Sequence, residues 1–481
     1  MNNSRRDGEY QFIPRVINPL KLKRAVLLAA DAQVRNAMTW LASEMPWLRT
    51  EVISDPRRLI EAPSEEASVF LFDDTGLTVV DEADVRERNG RAVLVLLSFQ
   101  PFIQCAPPQP ARERFPYTNK ADLVFAVSRT EFEPRSILPA AVRAAEDRLN
   151  IELSSGIRRF IFHIVDDEPR WFSQFLPLLY SIIGQRADVM ITRTFEESLR
   201  FLFGVEKEGQ ISSRDWPSRG HGDDVVCLIA DIFLPRGSDL QSDAGRELIR
   251  LVNALYPRIP VIIASKAKEA LELKDLGFIL PKGDPDSLEK LKSQILNFTG
   301  LGDFLIYDKN GREIRRAKDI RGICRILLEA EKDTAEAREL RDILESYGEK
   351  DKFSSWLYMH SYRELGDRLR PRRGRGRQLI TLLKRSFQSE IARLERTPLV
   401  VGQQKIFGLD DLLAVLRKAP PEVIQPFSDN DIISSWLDRQ GYSELAEELR
   451  PIHGSGEELK KTLADAVSRW IEVYRSSDSS E

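Results

Sequence analysis

Residues 162–171 read FHIVDDEPRW, in which a run of apolar residues ends at two adjacent carboxylates, Asp166 and Asp167. The apolar run is typical of a buried strand, so the two acids stand where that strand ends. Like charges this close repel each other, and each raises the pKa of the other. An ordinary folded surface gains nothing from such a pair, which therefore indicates a functional site at this position.

Apolar runs of strand length alternate with helical stretches on both sides of this motif. Five such runs lie within residues 24–146, and five more lie within residues 157–298. Buried strands that alternate with helices predict an α/β fold with doubly wound parallel sheets. The sequence thus predicts an N-terminal arm at 1–23 and two tandem five-stranded, flavodoxin-like domains, at 24–150 and 157–299.

The C-terminal part of the chain contains a repeat. The segment SSWLYMHSYRELGDRLRP at 354–371 returns as SSWLDRQGYSELAEELRP at 434–451. We therefore predict two related, mostly α-helical modules with small hairpins, followed by a disordered polar tail, at 302–396, 397–475 and 476–481.

Single residues within these modules carry further expectations. Helical spacing predicts that Trp356 and its partner in the repeat belong to the module cores. The dipeptide Asn310-Gly311 predicts a tight hairpin turn in the first module. His360 and His453 stand in no metal-binding spacing, and we interpret them as surface or capping residues.

The overall charge gives no indication of a nucleic-acid or membrane partner. The chain has 71 basic and 75 acidic residues and a formal net charge of −4, so its field favours neither polyanions nor membrane surfaces. No apolar run approaches the roughly 18 residues that a membrane helix needs. The three cysteines are widely spaced and match neither a disulfide framework nor a zinc motif. We expect a cytoplasmic protein without a membrane partner.

Functional side chains follow the predicted strands of the second domain. Asp166 and Asp167 end its first strand, Asp231 its third and Ser265 its fourth, and Lys282 follows the fifth. Open parallel sheets bind ligands at the carboxyl ends of their strands, so these side chains are expected to meet at one edge. Mg²⁺ takes oxygen ligands and commonly keeps several waters. The acidic pair, together with Asp231, therefore predicts a magnesium site.

This set of residues suits phosphoryl transfer. Asp231 can attack a phosphoryl group as a carboxylate nucleophile and form an acyl phosphate. Lys282 can pair with the phosphoryl oxygens, and Ser265 can donate a hydrogen bond to them. A phosphoryl group adds about two negative charges, which would draw Ser265 inward and shift the adjacent loop. The product is therefore also a switch.

These residues resemble the receiver (CheY-like) domains of bacterial two-component response regulators. That family has an acidic pair after the first strand, a phospho-accepting Asp after the third, Ser or Thr after the fourth and Lys after the fifth. The segment DIFLP is similar to the family's turn after the acceptor, which implies that the backbone carbonyl of Phe233 binds the metal. The resemblance implies a phosphorelay regulator, not an enzyme, that receives its phosphoryl group from a histidine kinase or phosphotransfer protein.

Two positions depart from the family's pattern. Ile279 stands where the family usually has an aromatic residue, and Gly283 stands where a proline usually follows the lysine. These departures concern the family's aromatic switch, and they leave the phosphorylation chemistry intact.

The first domain carries a degenerate version of the same template. Ala30-Asp31 is placed at the acidic pair, Asp73 after the third strand and Ser98 after the fourth, and the segment AVSRT lacks the lysine. We interpret this domain as a pseudo-receiver kept for packing or dimerisation. Residual phosphorylation of Asp73 is the alternative.

An arginine-rich segment, RLRPRRGRGRQ at 368–378, supports one alternative function. Arginines can neutralise phosphates without any selection for base sequence, which would make the chain a nucleic-acid binder. We favour a solvated loop between helices or a contact with an acidic partner. A second alternative is a scaffold in which neither receiver is phosphorylated.

A further resemblance covers residues 160–395, which are similar to the signalling N-terminal region of some PEP/pyruvate-binding, phosphoenolpyruvate synthase-like proteins. In those proteins the catalytic domains follow that region. The resemblance implies a regulator that acts on another protein. We expect the C-terminal modules to bind an unidentified protein target, and dimerisation is left open.

Overall fold

A computed structural model describes most of the chain. The described residues are 22–45, 48–58, 66–78, 80, 85, 91–99, 121–127, 134–153, 160–184, 187–205, 220–237, 239, 243–256, 259–266, 268–308, 312–349, 352–360, 362–369, 375–450, 452 and 454–478. The chain divides into two compact units, one made mainly of residues 18–294 and the other mainly of residues 295–481. Within the described residues, no helix is both long and apolar enough to cross a membrane.

The first unit contains two parallel five-stranded sheets, each with the strand order 2-1-3-4-5. The strands of the first sheet are β1 (Arg24–Leu28), β2 (Arg49–Ile53), β3 (Ser68–Asp73), β4 (Ala92–Ser98) and β5 (Leu123–Ala126). Its helices are α1 (Ala32–Glu44), α2 (Asp74–Thr78) and α3 (Pro134–Leu153). This strand order is that of flavodoxin-like folds, as predicted.

The second sheet repeats this arrangement. Its strands are β6 (Ile161–Val165), β7 (Asp188–Thr192), β8 (Val225–Ala230), β9 (Val261–Ser265) and β10 (Phe278–Pro281). Its helices are α4 (Pro169–Ile183), α5 (Phe195–Phe203), α6 (Ala244–Leu255) and α7 (Ser287–Thr299), with a short 3₁₀ helix at Lys268–Leu273. Every residue of β6 and β9 is buried, as expected for central strands covered by helices on both faces.

Helix α3 connects the two sheets through a buried polar network. Arg143 Nε donates to Asp147 Oδ1 at 2.8 Å, and Arg143 Nη2 donates to the backbone carbonyl of Ala187 before β7. The other Asp147 oxygen accepts from the Val189 amide at 2.8 Å and the Tyr180 hydroxyl at 3.0 Å. These bonds hold the start of β7, and with it the second sheet, against α3.

Asp147→Ala is expected to lower the free energy of unfolding by about 3–5 kcal/mol, since it leaves the Arg143 guanidinium buried without its carboxylate. A matched control lies on the same helix, where Arg148 and Glu152 form a partly exposed ion pair at 2.9 Å. Glu152→Ala should cost less than about 1 kcal/mol. Urea unfolding measures both, and equal losses would contradict a special role for the buried network.

In the residues that the structure describes, the second unit contains two modules with the same order of elements, a two-stranded hairpin followed by five helices. The first has β11 (Phe304–Tyr307), β12 (Glu313–Ala317), α8 (Ile320–Ala330), α9 (Ala335–Glu349), α10 (Lys352–Met359), α11 (Arg363–Leu369) and α12 (Gly376–Arg396). The second has β13 (Leu399–Val401), β14 (Gln404–Ile406), α13 (Leu409–Lys418), α14 (Pro421–Asp429), α15 (Ile432–Gln440), α16 (Ser443–Leu449) and α17 (Gly456–Asp478). The repeat in the sequence thus corresponds to a repeated fold.

Each module has its own apolar core, and the repeated tryptophans lie at the centres of these cores. Trp356 and Trp436 are almost completely buried. The predicted Asn310-Gly311 turn lies outside the described residues, but the strands that it would join are paired antiparallel.

The interpretation of His360 as a surface residue was wrong, although it does follow the last residue of α10 and its amide donates to the Trp356 carbonyl at 3.0 Å. Its side chain is buried, and its ring stacks on Trp356 with the ring centroids 4.0 Å apart. The Nε2 atom lies 3.2 Å from the carbonyl oxygen of Gly302. The other histidine, His453, lies outside the described residues.

Candidate functional site

The structure brings the five predicted side chains of the second sheet together at the carboxyl edge. Asp231 follows β8, where its amide donates to the Val165 carbonyl at 2.9 Å. Its Oδ1 atom accepts a hydrogen bond from Ser265 Oγ, also at 2.9 Å. The end of β9 therefore places a hydroxyl directly beside the carboxylate that ends β8.

Lys282 joins the two carboxylates on either side of it. Its Nζ atom lies 2.6 Å from Asp166 Oδ2 and also contacts Asp231 Oδ2. The Lys282 amide donates to the Ser265 carbonyl at 3.1 Å, which holds the end of β10 against the end of β9. Burial alone would lower the pKa of the ammonium, but Asp166 and then Asp231 raise it above its usual value. Lys282 is therefore a fixed positive charge within the site.

The ionised forms of Asp166 and Asp167 are unfavourable in the folded protein, even with Lys282 beside them. Burial raises the pKa of the Asp167 carboxyl to about 8, and repulsion from Asp166 adds to this effect. Burial also raises the pKa of the Asp166 carboxyl, against the opposing effect of Lys282. A buried acid with a raised pKa favours either a proton or a cation beside it. Ionisation of the acidic pair is therefore costly in the folded protein, and a bound cation would remove that cost.

The chemistry of the donor set fits a hard cation such as Mg²⁺, which prefers carboxylate and carbonyl oxygens. Within the described residues, no three His, Cys, Asp or Glu side chains form a ready-made metal cage. The Lys282 ammonium instead stands between Asp166 and Asp231. Phe233 lies beside the site, because its amide is 3.4 Å from Asp231 Oδ1. The magnesium site and the role of the Phe233 carbonyl stay predictions.

The strand register of the first sheet corrects one of the predicted positions. Leu28 of β1 pairs with Phe72 of β3, as Val165 of β6 pairs with Ala230 of β8. The two residues after Leu28 therefore occupy the place of the acidic pair, and both are alanines. Asp31, which we placed at the pair, lies one position later.

Asp31 has a structural role in the first sheet. It is the N-cap of α1, where its side chain accepts hydrogen bonds from the amides of Gln33 and Val34. Its counterpart in the second sheet is Glu168, the residue before α4. Neither position of the acidic pair is therefore acidic in the first sheet.

Asp73 and Ser98 also lack the geometry of Asp231 and Ser265. Asp73 is buried, and its oxygens accept hydrogen bonds from three backbone amides, those of Ala30, Asp31 and Gly76. Ser98 Oγ donates to Asp74 at 2.6 Å. The Ser98 hydroxyl thus contacts Asp74 instead of Asp73. The Asp73 carboxylate binds backbone amides after β1 and in α2.

Sequence reasoning missed three residues around the site of the second sheet, Glu168, Trp171 and Lys266. The Trp171 ring lies within cation–π distance of two ammonium groups, those of Lys266 at 4.7 Å and Lys282 at 5.7 Å. Trp171 lies in the first turn of α4, four positions after Asp167. That closeness to the acidic pair is the signal that could have identified it.

The arginine-rich segment is only partly described, because residues 370–374 lie outside the described residues. Arg368 pairs with the buried Glu390 at 3.2 Å, and Arg377 contacts Asp333. Arg375 lies 3.9 Å from Glu345. Three arginines of the segment therefore pair with acids of their own module. Nucleic-acid binding has no support from these contacts and stays an untested alternative.

Comparisons with known proteins show similarity only to solved structures. No family model and no curated protein matches the chain. A two-component system response regulator/GGDEF domain protein is 15% identical over 57% of this chain and 98% of its own, with a TM-score of 0.24. The C-terminus of E. coli RcsC, which contains a linker region and a phosphoreceiver domain, is 15% identical over 58% of this chain and 96% of its own, with a TM-score of 0.21.

The solved structures also include proteins of other classes. The C-terminal domain of glucosamine-fructose-6-phosphate aminotransferase from Francisella tularensis is 10% identical over 58% of this chain and 84% of its own, with a TM-score of 0.18. Two of the three neighbours named here are receiver or response-regulator proteins, but similarity at this level carries no functional argument. The function has to be inferred from the site itself. The similarity to PEP/pyruvate-binding proteins stays a prediction.

Proposed function

We propose that the chain is a phosphorelay response regulator whose second α/β domain accepts a phosphoryl group on Asp231. One observation carries this proposal. The Asp231 carboxylate lies against both the Ser265 hydroxyl and the Lys282 ammonium, at the sheet edge that also carries Asp166 and Asp167. A nucleophilic oxygen, a hydrogen-bond donor and a fixed cation are the groups that phosphoryl transfer requires.

The residues of this chain have distinct roles in the proposed reaction. An Asp231 oxygen forms a bond to the phosphorus of the donor, while the bond from phosphorus to the leaving group breaks and its electron pair stays with that group. Lys282 neutralises charge on the phosphoryl oxygens, and Ser265 donates a hydrogen bond to one of them. The ligands that would hold Mg²⁺ are Asp166, Asp167, Asp231 and the Phe233 carbonyl. When bound, Mg²⁺ supplies further neutralisation of the same charge.

The phosphoryl group would also change the structure around the site. In the unmodified protein Ser265 and Lys282 bind the Asp231 oxygens directly. An acyl phosphate offers strong acceptor oxygens further out, so both side chains move towards them, together with the ends of β9 and β10. The chain thus undergoes a modification that it reports to a partner, and we do not expect turnover of a separate substrate.

The first α/β domain acts in this proposal as a pseudo-receiver. It lacks both carboxylates of the acidic pair, and Asp73 is already engaged by three backbone amides. The C-terminal modules would bind the protein target. A pull-down that compares phosphorylated wild type with Asp231→Asn tests this output, and identical partners would contradict it.

Incubation with acetyl phosphate tests the proposed chemistry. The wild-type chain should gain acid-labile phosphate in the presence of Mg²⁺ and lose this labelling when EDTA is present, because the phosphoryl charge is then less well neutralised. Intact-protein mass spectrometry measures the added phosphoryl group. A chain that gains no phosphate with Mg²⁺ present would refute the proposal.

A further inference from the structure

Trp171 lies on one of the four chain segments that carry the candidate site, the one after β6, and contacts two of the others, those after β9 and β10. It lies in the first turn of α4, directly after the acidic pair, and only 6% of its surface is exposed. Its ring is 4.7 Å from the ammonium of Lys266, which follows the end of β9. It is also 5.7 Å from the ammonium of Lys282, which follows the end of β10. One indole therefore spans the gaps between three strand ends.

Glu168 holds this indole in place. Its Oε2 atom accepts two hydrogen bonds, one from Trp171 Nε1 at an N···O distance of 2.5 Å and one from Lys266 Nζ at 3.2 Å. The carboxylate thus joins the first turn of α4 to the residue after Ser265. We call Trp171, Glu168 and Lys266 the clasp.

The clasp closes against the backbone after β10. Gly283 has a φ of +86°, and a Cβ added there would lie 3.8 Å from Trp171 Cη2. The ring edge therefore packs close to the Lys282-Gly283 turn. The departure from proline at this position is explained by the positive φ, which proline cannot adopt.

We propose that the clasp shields an acyl phosphate on Asp231 from water and so prolongs the phosphorylated state. The inference rests on the proposed function, which supplies the acyl phosphate. Hydrolysis requires a water oxygen to bond to phosphorus while the bond from phosphorus to the Asp231 oxygen breaks. The electron pair of that bond stays with the Asp231 carboxylate, and both protons of the water leave with the inorganic phosphate as dihydrogen phosphate. Groups that exclude water from a reacting centre suppress such a side reaction.

The environment of Trp171 distinguishes this role from ordinary core packing. A tryptophan placed only for packing would face apolar side chains, whereas this ring faces two ammonium groups and its N–H binds a carboxylate. The clasp also has an exposed member, because the Lys266 side chain is 55% accessible. Lys266 therefore adds little to the stability of the fold but stands directly beside Ser265.

The experiment follows the loss of phosphate after labelling. Full-length protein is phosphorylated with acetyl phosphate and Mg²⁺, the donor is removed by rapid desalting, and the acid-labile phosphate that remains is measured over time. Trp171→Ala should speed the loss roughly tenfold. Trp171→Phe keeps a ring but loses the bond to Glu168, so its rate should lie between those of Trp171→Ala and the wild type. Lys266→Ala should also raise the rate.

A control variant and a second test variant at an exposed residue make the result decisive. Trp470→Phe is the control, since Trp470 Nε1 likewise donates to a glutamate, Glu448, but in the second module. It should leave the rate unchanged. If Trp171 had only a structural role, Lys266→Ala would decay like the wild type. Because Lys266 is exposed, this variant keeps the test valid even if Trp171→Ala does not fold.

Two failures can be told apart. A wild-type chain that never gains phosphate overturns the proposed function, and the clasp falls with it. A wild-type chain that is phosphorylated normally, with Trp171→Phe and Lys266→Ala losing phosphate at the wild-type rate, overturns the clasp alone.

Discussion

Asp231→Asn is expected to abolish incorporation of phosphate from acetyl phosphate, against about one phosphoryl group per chain in the wild type. The amide that replaces the carboxylate is not a nucleophile, although Ser265 and Lys282 remain in place to bind a phosphoryl group. The variant loses a contact of Lys282, but Asp166 still holds that ammonium at 2.6 Å. The loss is therefore expected without collapse of the site. Intact-protein mass spectrometry after incubation with acetyl phosphate and Mg²⁺ measures it.

Asp73→Asn is the matched control, because the same substitution is made at the corresponding position of the other sheet. This variant should gain phosphate as the wild type does. It is expected to be less stable by about 1–3 kcal/mol, since one of the backbone amides that donate to Asp73 loses its acceptor. The assay is therefore run at a temperature where circular dichroism shows the variant folded. Phosphate on a peptide containing Asp73 would show that the first domain is not a pseudo-receiver.

Much of the second domain could be predicted from sequence because its strands are short, buried runs. The run DVMIT, for example, is strand β7 residue for residue. Parallel strands end at a common edge, so polar residues after the first, third, fourth and fifth runs could be expected to meet. Their contacts in the structure support that expectation.

The acidic pair of the first domain could not be placed in the same way. Every residue of β1 is buried, and Ala29 after it is buried as well. A strand that is covered on both faces has no alternation of polar and apolar residues to mark its end. The one-residue error at Asp31 became visible only from the pairing of β1 with β3.

The roles of Trp171 and His360 depend on contacts that sequence spacing does not show. Trp171 meets Lys266, which is 95 positions later, and His360 meets the carbonyl of Gly302, which is 58 positions earlier. In the sequence both look like isolated aromatic or polar residues on helices. Their surroundings are set by packing between elements.

Asp167→Asn should have opposite effects on stability in the absence and presence of Mg²⁺. The pKa of the Asp167 carboxyl is raised from 3.8 to about 8 in the folded protein. Between these two values the folded state holds a proton that the unfolded state has released. Stability therefore falls as pH rises from about 4 to about 8, and above that range the full cost of the buried charge remains.

The neutral amide removes this cost. At pH 9 without Mg²⁺, Asp167→Asn should therefore melt several degrees above the wild type, and the difference should shrink towards pH 5. In the proposed function Mg²⁺ takes the place of the proton on the ionised carboxylate, so it should raise the melting temperature of the wild type at high pH. Mg²⁺ should raise the melting temperature of Asp167→Asn far less, because the substitution removes both a proposed metal ligand and its negative charge.

Scanning calorimetry with Mg²⁺ or with EDTA measures both effects across this pH range. Asp275→Asn serves as the control, since Asp275 is an exposed aspartate of the same domain. It should change neither the pH dependence nor the response to Mg²⁺. A variant Asp167→Asn that melts below the wild type at pH 9 in EDTA, and that Mg²⁺ stabilises to the same extent, would show that the acidic pair neither strains the fold nor binds the cation.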